Sequence, residues 1–326
     1  MADGAALLAH PRVHLKLESL ARCEFAQIVS LVPSLSEALV VLGLGDRVVG
    51  VTEYCVHPRG AFHEIPKLGG TKDSDAAAII ALAPDLVIAN HEENTARVIR
   101  QLADAGIEIW LTYPRTVREG VILLRQLAEL GATTSAIQRV VVPVERAFEE
   151  AHARRADRQA ERRVRRAGEV GHPSELELAP RPKVFCPIWR DPWMTISGDT
   201  YIHDLIELCG GENLFAGTAA DVGVQPRSGE EPATSPSRGS EESGRCRDRR
   251  YPIVDLEEVA ARSPDVILLP DEPYAFAETD VRELAGLDCP AARDARIHLI
   301  DGTLVSWYGP RIAEAIRVLA GIFANS

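Results

Sequence analysis

No stretch of the 326 residues runs to about 18 consecutive uncharged apolar positions, so the sequence offers no candidate membrane span. Cysteine is sparse and scattered. Cys23, Cys55, Cys186, Cys209, Cys246 and Cys289 form no C-x-x-C and no paired spacing, which excludes a zinc or redox motif and a disulfide scaffold. The thiols are expected to be reduced and mostly buried. Catalytic signatures are missing as well: there is no G-x-x-x-x-G-K-[ST], no G-x-S-x-G and no H-E-x-x-H. Gly43-Leu-Gly45-Asp-Arg-Val-Val-Gly50 departs from G-x-G-x-x-G and follows a helix where a dinucleotide site follows a strand. His57, His63, His91, His203 and His298 stand singly rather than as a ligand cluster, and no spacing pairs the many carboxylates. Nothing in the residues speaks for catalysis or a metal.

Positive charge is also in deficit. Lys and Arg number 36 against 48 Asp and Glu, and the net charge of -12 makes the averaged surface repel a phosphate backbone. Nucleic acid is therefore not an expected partner. The one basic run, seven arginines between Arg154 and Arg166 with Asp157 and Glu161 among them, reads as a solvated helix surface. The first twenty residues have no basic leader, no unbroken apolar core and no A-x-A-like cleavage site. As it stands the sequence is expected to remain in the cytoplasm, or to be periplasmic if the true start lies upstream.

What is present is ample core material, with 46% of residues hydrophobic, arranged as an internal repeat. Asp75-Ala-Ala-Ala-Ile-Ile-Ala-Leu-Ala-Pro84-Asp85-Leu-Val-Ile-Ala89 matches Asp255-Leu-Glu-Glu-Val-Ala-Ala-Arg-Ser-Pro264-Asp265-Val-Ile-Leu-Leu269 at a constant offset of 180. Both read as a short helix, a Pro-Asp turn and a buried strand. Upstream of each lies a strand ending at proline, Ile28 to Pro33 and Val184 to Pro187. Each leads into a helix, Ser36 to Leu42 and Thr200 to Cys209, closed by glycine. The apolar runs are continuous rather than alternating, which fits parallel sheets covered on both faces. The fold class is α/β: two Rossmann-like lobes joined by a long backbone helix.

The expected division is an N-terminal extension 1–26, an N-terminal α/β lobe 27–115, a helical spine 116–167, a flexible linker 168–182 and a C-terminal α/β lobe 183–326. Thr116 to Glu119 is a capping box that opens the spine, and Thr133 or Thr134 caps a second helix that Pro143 is expected to kink or delay. Residues 168–182 and the insertion 218–250 hold too little apolar area to offset their ordering entropy and are expected to be disordered.

In open α/β sheets ligands collect beyond the carboxyl ends of the strands. The first lobe places Pro33 and Ser34, with a second capping box Ser34 to Glu37, then Glu53, Tyr54 and His57, then Asn90, His91 and Glu92 at such ends. The second lobe places Trp189, Arg190, Trp193 and Met194, then Asp271 to Tyr274, then Asp301 to Tyr308 there. Aromatics are only 5% of the chain, yet three of the four tryptophans fall in these loops. Trp189, Trp193 and Trp307, with Tyr54 and Tyr308, could line a cleft with flat apolar faces suited to a large planar or macrocyclic ligand.

The segments Ile28-Val-Ser-Leu-Val-Pro-Ser-Leu-Ser-Glu37, Gly45 to Cys55, Pro66-Lys-Leu-Gly-Gly70 and Pro84 to Ala89 resemble the cobalamin and iron-siderophore substrate-binding proteins of ABC importers, the helical backbone metal receptors. Cys209-Gly-Gly-Glu-Asn-Leu-Phe215, Tyr251-Pro-Ile-Val, Ala261 to Asp265 and Gly309-Pro-Arg-Ile312 extend the resemblance through the second half. The cobalamin branch is the nearest. The resemblance implies a noncatalytic monomer that holds a cobalamin-like corrinoid between its lobes with little hinge closure and needs no cofactor. It implies that Pro33, Ser34, Tyr54 and Asn90 meet the ligand from one lobe, and Trp193, Met194, Tyr251, Trp307 and Tyr308 from the other. It implies further that one glutamate per lobe docks an ABC permease. Glu257 holds the second-lobe position, whereas the first-lobe position is Ala77. Alternatives are a siderophore or haem ligand, for which Arg190 is the candidate anion contact; a cytosolic corrinoid sensor or carrier; and a two-lobed enzyme such as a glycosyltransferase or chelatase.

Overall fold

The continuous apolar runs become strands covered on both faces. All five residues of Leu86–Asn90 and all five of Val266–Pro270 are buried, as are the three of Ile28–Ser30. The computed structural model describes residues 7–20, 25–166, 180–219 and 250–324. The two stretches expected to be disordered, 168–182 and 218–250, fall largely outside these described residues.

The first lobe runs β1 (Val13–His14), β2 (Ile28–Ser30), α1 (Pro33–Val41), β3 (Val48–Val51), α2 (Ala76–Ala81), β4 (Leu86–Asn90), α3 (Ala96–Asp104) and β5 (Glu108–Thr112). Its sheet has the order β1-β5-β4-β2-β3 with every pair parallel. Val13–His14, counted above with the extension, form its edge strand beside Ile109 and Trp110.

Two helices of the spine follow, α4 (Val117–Glu129) and α5 (Thr134–Arg166). Thr116 caps α4 by accepting from the Glu119 amide, and the turn out of it uses Gly131 at φ 125°, a left-handed conformation that glycine adopts without strain. The helix α5 continues through Pro143. At 1.5 Å per residue its 33 residues reach about 50 Å, enough to strap both lobes.

The second lobe contains β6 (Lys183–Phe185), β7 (Pro187–Trp189), β8 (Met194–Thr195), α6 (Tyr201–Cys209), β9 (Glu212–Asn213), α7 (Leu256–Ala261), β10 (Val266–Pro270), α8 (Glu278–Leu284), α9 (Pro290–Arg293), β11 (Ile297–Ile300), α10 (Thr303–Ser306) and α11 (Ile312–Ala324). Its parallel sheet has the order β11-β10-β6-β9, and β7 and β8 form a separate antiparallel ribbon. The repeat thus yields matched strand sets, β5-β4-β2-β3 against β11-β10-β6-β9.

A single apolar core crosses from one lobe to the other along the spine. It joins Leu35 and Leu39 of α1, Leu124 and Leu127 of α4, Val141 and Phe148 of α5, Leu205 of α6 and Leu319 of α11. Hinging the lobes apart would bare part of this shared core, at roughly 25 cal/mol for each Å² exposed. Polar ties add to it: Asp204 of α6 accepts from the Val117 amide at 2.8 Å and pairs with Arg155 of α5 at 3.1 Å. Among the described residues no helix is long and apolar enough to cross a membrane.

Candidate functional site

The carboxyl ends of the two sheets face one another across a seam stitched by polar side chains. Asn90, the last residue of β4, is fully buried and its amide is fully used. Its Oδ1 accepts from the amides of Glu92 and Glu93 at 2.7 and 3.2 Å, which turns the chain sharply after the strand. Its Nδ2 donates across the seam to Tyr308 Oη at 2.9 Å. That oxygen, having accepted one hydrogen bond, donates its own O–H to Glu93 Oε1 at 3.2 Å. Burial, with Glu93 and Glu92 close by, holds the Tyr308 phenol well above its ordinary range, so it remains a donor. Glu93 is pushed up to about 7, chiefly by burial; the Tyr308 hydrogen bond opposes this, and the nearby Glu272 and Glu92 reinforce it.

A second stitch lies alongside. Tyr251 Oη donates to Glu92 Oε1 at 3.0 Å, and Arg250 pairs with the same carboxylate at 3.1 Å. Glu272, which follows β10 where Glu92 follows β4, stands at the repeat's offset of 180. Its carboxyl accepts from the Ser306 hydroxyl at 2.7 Å and from the Trp307 indole, while burial raises its pKa.

A third contact is a clamp that local sequence patterns did not reveal. Arg311 donates to both oxygens of Glu37, Nε at 2.7 Å and Nη2 at 2.9 Å, and also to Thr303 Oγ1 at 2.8 Å. Its guanidinium stacks over Trp307, 5.1 Å from the ring centre. Glu37 was read as half of a capping box with Ser34. Instead α1 starts at Pro33, whose fixed φ suits the first helical turn, and no side chain caps it. Glu37 is free of that duty and joins the lobes. Ser34 and Pro33 lie buried in the first turn of the same helix.

The remaining expected ligand contacts divide into two groups. Tyr54, in the loop after β3, is 61% exposed, and Trp189, at the end of β7, is 42% exposed with its edge toward Tyr274 at 5.6 Å. These two, on opposite lobes, offer open aromatic faces. Trp193 is only 9% exposed and stacks on Phe276 at 5.7 Å and 10° within the second lobe's own core. Met194 is half-buried in the ribbon, bridged to Ile253. Trp307 and Tyr308 are buried at the seam, Trp307 against the edge of His57 at 5.7 Å and Tyr308 against Tyr201 at 5.4 Å. Arg190, the candidate anion contact, is committed to Asp280 and to Glu283 at 2.6 Å. Glu257 and Ala77 occupy equivalent exposed positions on α7 and α2.

Among the described residues no group of three His, Cys, Asp or Glu is placed to hold a metal ion. The four described cysteines, Cys55, Cys186, Cys209 and Cys289, are buried and free. Burial raises Cys186 and Cys209 to about 12, which keeps both thiols protonated and inert. A depression of about 560 Å³ is lined by Val40, Arg139, Pro143 and Ala313 on helices and by Pro310 in the turn that follows Tyr308.

Two parallel-sheet lobes strapped by one long helix, with their strand ends opposed across a seam, are the architecture of the class III periplasmic binding proteins. The chain belongs to the periplasmic binding protein family, whose model matches residues 28–285. It is 25% identical over 291 residues to a vitamin B12-binding protein of Vibrio parahaemolyticus, covering 89% of this chain and 86% of the relative. It is 22% identical over 307 residues to that of Vibrio vulnificus strain CMCP6, covering 94% and 93%. In structure it is similar to the periplasmic vitamin B12 binding protein BtuF of Vibrio cholerae, with TM-score 0.66, 19% identity and coverage of 92% and 97%. It is equally similar to a periplasmic haem binding protein of Pseudomonas aeruginosa, with TM-score 0.66, 20% identity and coverage of 93% and 94%.

Proposed function

We propose that this chain binds a cobalamin-like corrinoid between its lobes, leaves it chemically unchanged and presents it to the permease of an ABC importer. Curated relatives spanning nearly the whole chain are vitamin B12-binding proteins, which supports the ligand class. The observation that carries the choice within the family is the pairing of four arginines beside the post-strand loops, Arg59 after β3 standing exposed outside any such pair among the described residues. Arg190 pairs with Asp280 and Glu283, Arg250 with Glu92, Arg311 with Glu37 and Arg115 with Asp199. A haem or siderophore brings carboxylates or catecholates that call for uncommitted guanidinium forks. An amide-decorated corrinoid does not. Tyr54 and Trp189 supply apolar faces for the ring system from the two sides.

In this reading Glu257 on α7 is the point of contact with an arginine of the permease, and α2 offers no partner to it at Ala77. Calorimetric titration of the purified full chain with cyanocobalamin tests the ligand assignment. Saturable binding of one corrinoid per chain at micromolar affinity or better is expected. An absence of heat at tens of micromolar, with saturable binding of haemin in its place, contradicts it.

A further inference from the structure

Glu93 is a seam carboxyl with unfilled hydrogen-bonding capacity and no ion pair among the described residues. Glu92 is neutralised by Arg250 and held by Tyr251, and Glu272 is held by Ser306 and Trp307. Glu93 accepts one hydrogen bond, from Tyr308 to Oε1, and has no cationic partner within bonding distance among the described residues; Oε2 has no protein partner there. The Asn90 to Tyr308 to Glu93 relay fixes the direction of that bond, because the Asn90 amide can only donate to the phenol. Charged or titratable groups around Glu93 are Glu92 on its own loop, Glu272 and Tyr308 from the second lobe, and Lys72, whose ammonium is bonded to the Glu92 carbonyl. With Glu92 paired to Arg250, the charges left beside Glu93 are the Glu272 carboxyl and the Lys72 ammonium.

We propose that Glu93 determines ligand specificity, reading a carboxamide through its unoccupied carboxyl edge and turning away a carboxylate at the same place. This rests on the corrinoid reading above and names the group of the ligand that the seam recognises. A protonated carboxyl offers one donor and one acceptor, the complement of a primary amide's carbonyl and N–H. Once Glu93 is ionised, a ligand carboxylate there would meet its charge directly, beside Glu272 and with Lys72 held on the Glu92 carbonyl, and like-charge juxtaposition suppresses such a partner. The position of Glu93 near pH 7 makes the neutral form available at neutral pH and scarce one unit above it.

The test is calorimetric titration at pH 6 and pH 8 of the wild-type chain, Glu93→Gln and Tyr308→Phe with cyanocobalamin and with a cobalamin monocarboxylic acid. Circular dichroism confirms that each variant is folded. The wild type is expected to bind cyanocobalamin about tenfold more tightly at pH 6 than at pH 8, following the loss of the neutral acid, and at pH 8, where Glu93 is ionised, to reject the monocarboxylate at least about tenfold. Glu93→Gln, neutral at every pH and able to donate to a carboxylate, is expected to lose the pH dependence and bring the two ligands within about twofold. Tyr308→Phe removes the hydrogen bond that lowers the Glu93 pKa, so tight binding is expected to persist to higher pH. Corrinoid binding whose pH profile and selectivity survive Glu93→Gln overturns this proposal and leaves the corrinoid reading standing. Wild-type protein that binds no corrinoid at either pH overturns both.

Discussion

Residues 81–90 of the first lobe and 261–270 of the second carry the same pattern of buried, half-buried and exposed positions, one for one. The chemistry underneath is shared as well. Ala83 and Ser263 both take a left-handed backbone, at φ 47° and 57°, ahead of Pro84 and Pro264. Asp85 and Asp265 each donate an amide to the start of the neighbouring strand, to Gln27 and Lys183 at 2.8 Å. Each also accepts through its carboxylate, from the Ala26 and Gln27 amides in one lobe and the Lys183 amide in the other. The lobes part company beyond the strand ends and on the outer helices. After β2 the chain enters α1 at Pro33, whereas after its counterpart β6 comes the β7–β8 ribbon with its tryptophans. On the outer helices, Ala77 stands where the second lobe has Glu257. A scaffold can thus be copied to the level of single hydrogen bonds while the surfaces that meet a ligand or partner diverge.

Two neighbouring tryptophans offer the largest test of that division between scaffold and surface. Trp193→Ala empties a stacked site in the second lobe's core, and chemical denaturation is expected to show a loss of about 3–5 kcal/mol. Trp189→Ala is expected to leave the unfolding midpoint almost unchanged and to weaken cyanocobalamin about tenfold in the same titration. Equal stability losses at the two positions would mean that the ribbon is core throughout and presents no face to a ligand. A smaller effect concerns the outer helices. If docking is carried by the second lobe alone, Glu257→Ala is expected to weaken association with the reconstituted permease between several-fold and a hundredfold. Ala77→Glu is expected to strengthen it. A silent Glu257→Ala would remove the docking asymmetry from the comparison.

Much of this organisation was legible in the residues because it is local. The repeat's offset, the N-cap aspartates Asp75 and Asp255, the Thr116 and Thr200 caps and the Gly210 C-cap all act within a few positions of themselves. Pro143 was expected to kink or delay the spine, and no delay is seen, since α5 already starts at Thr134. The seam was less accessible. Asn90 and Tyr308 were each placed at strand ends, but their hydrogen bond spans 218 positions, and Arg311 to Glu37 spans 274. No periodicity reports such a pairing. Trp189 and Trp193 are four residues apart in one loop region, and only the path of the ribbon decides that one faces out and the other packs in. Glu93 escaped notice because its significance comes from a carboxyl left without a directly paired cation, a property of the assembled seam. The constant offset of 180 that pairs Glu92 with Glu272 was the one signal pointing there.

Hydrogen exchange with and without cyanocobalamin tests the central claim, that one guest is held by both lobes together, most directly. Simultaneous slowing is predicted in the loops 53–57 and 91–95 of the first lobe and 189–193 and 271–275 of the second, with the spine seam around Val140 unchanged. Protection confined to one lobe, or centred on the depression beside Arg139, would contradict it.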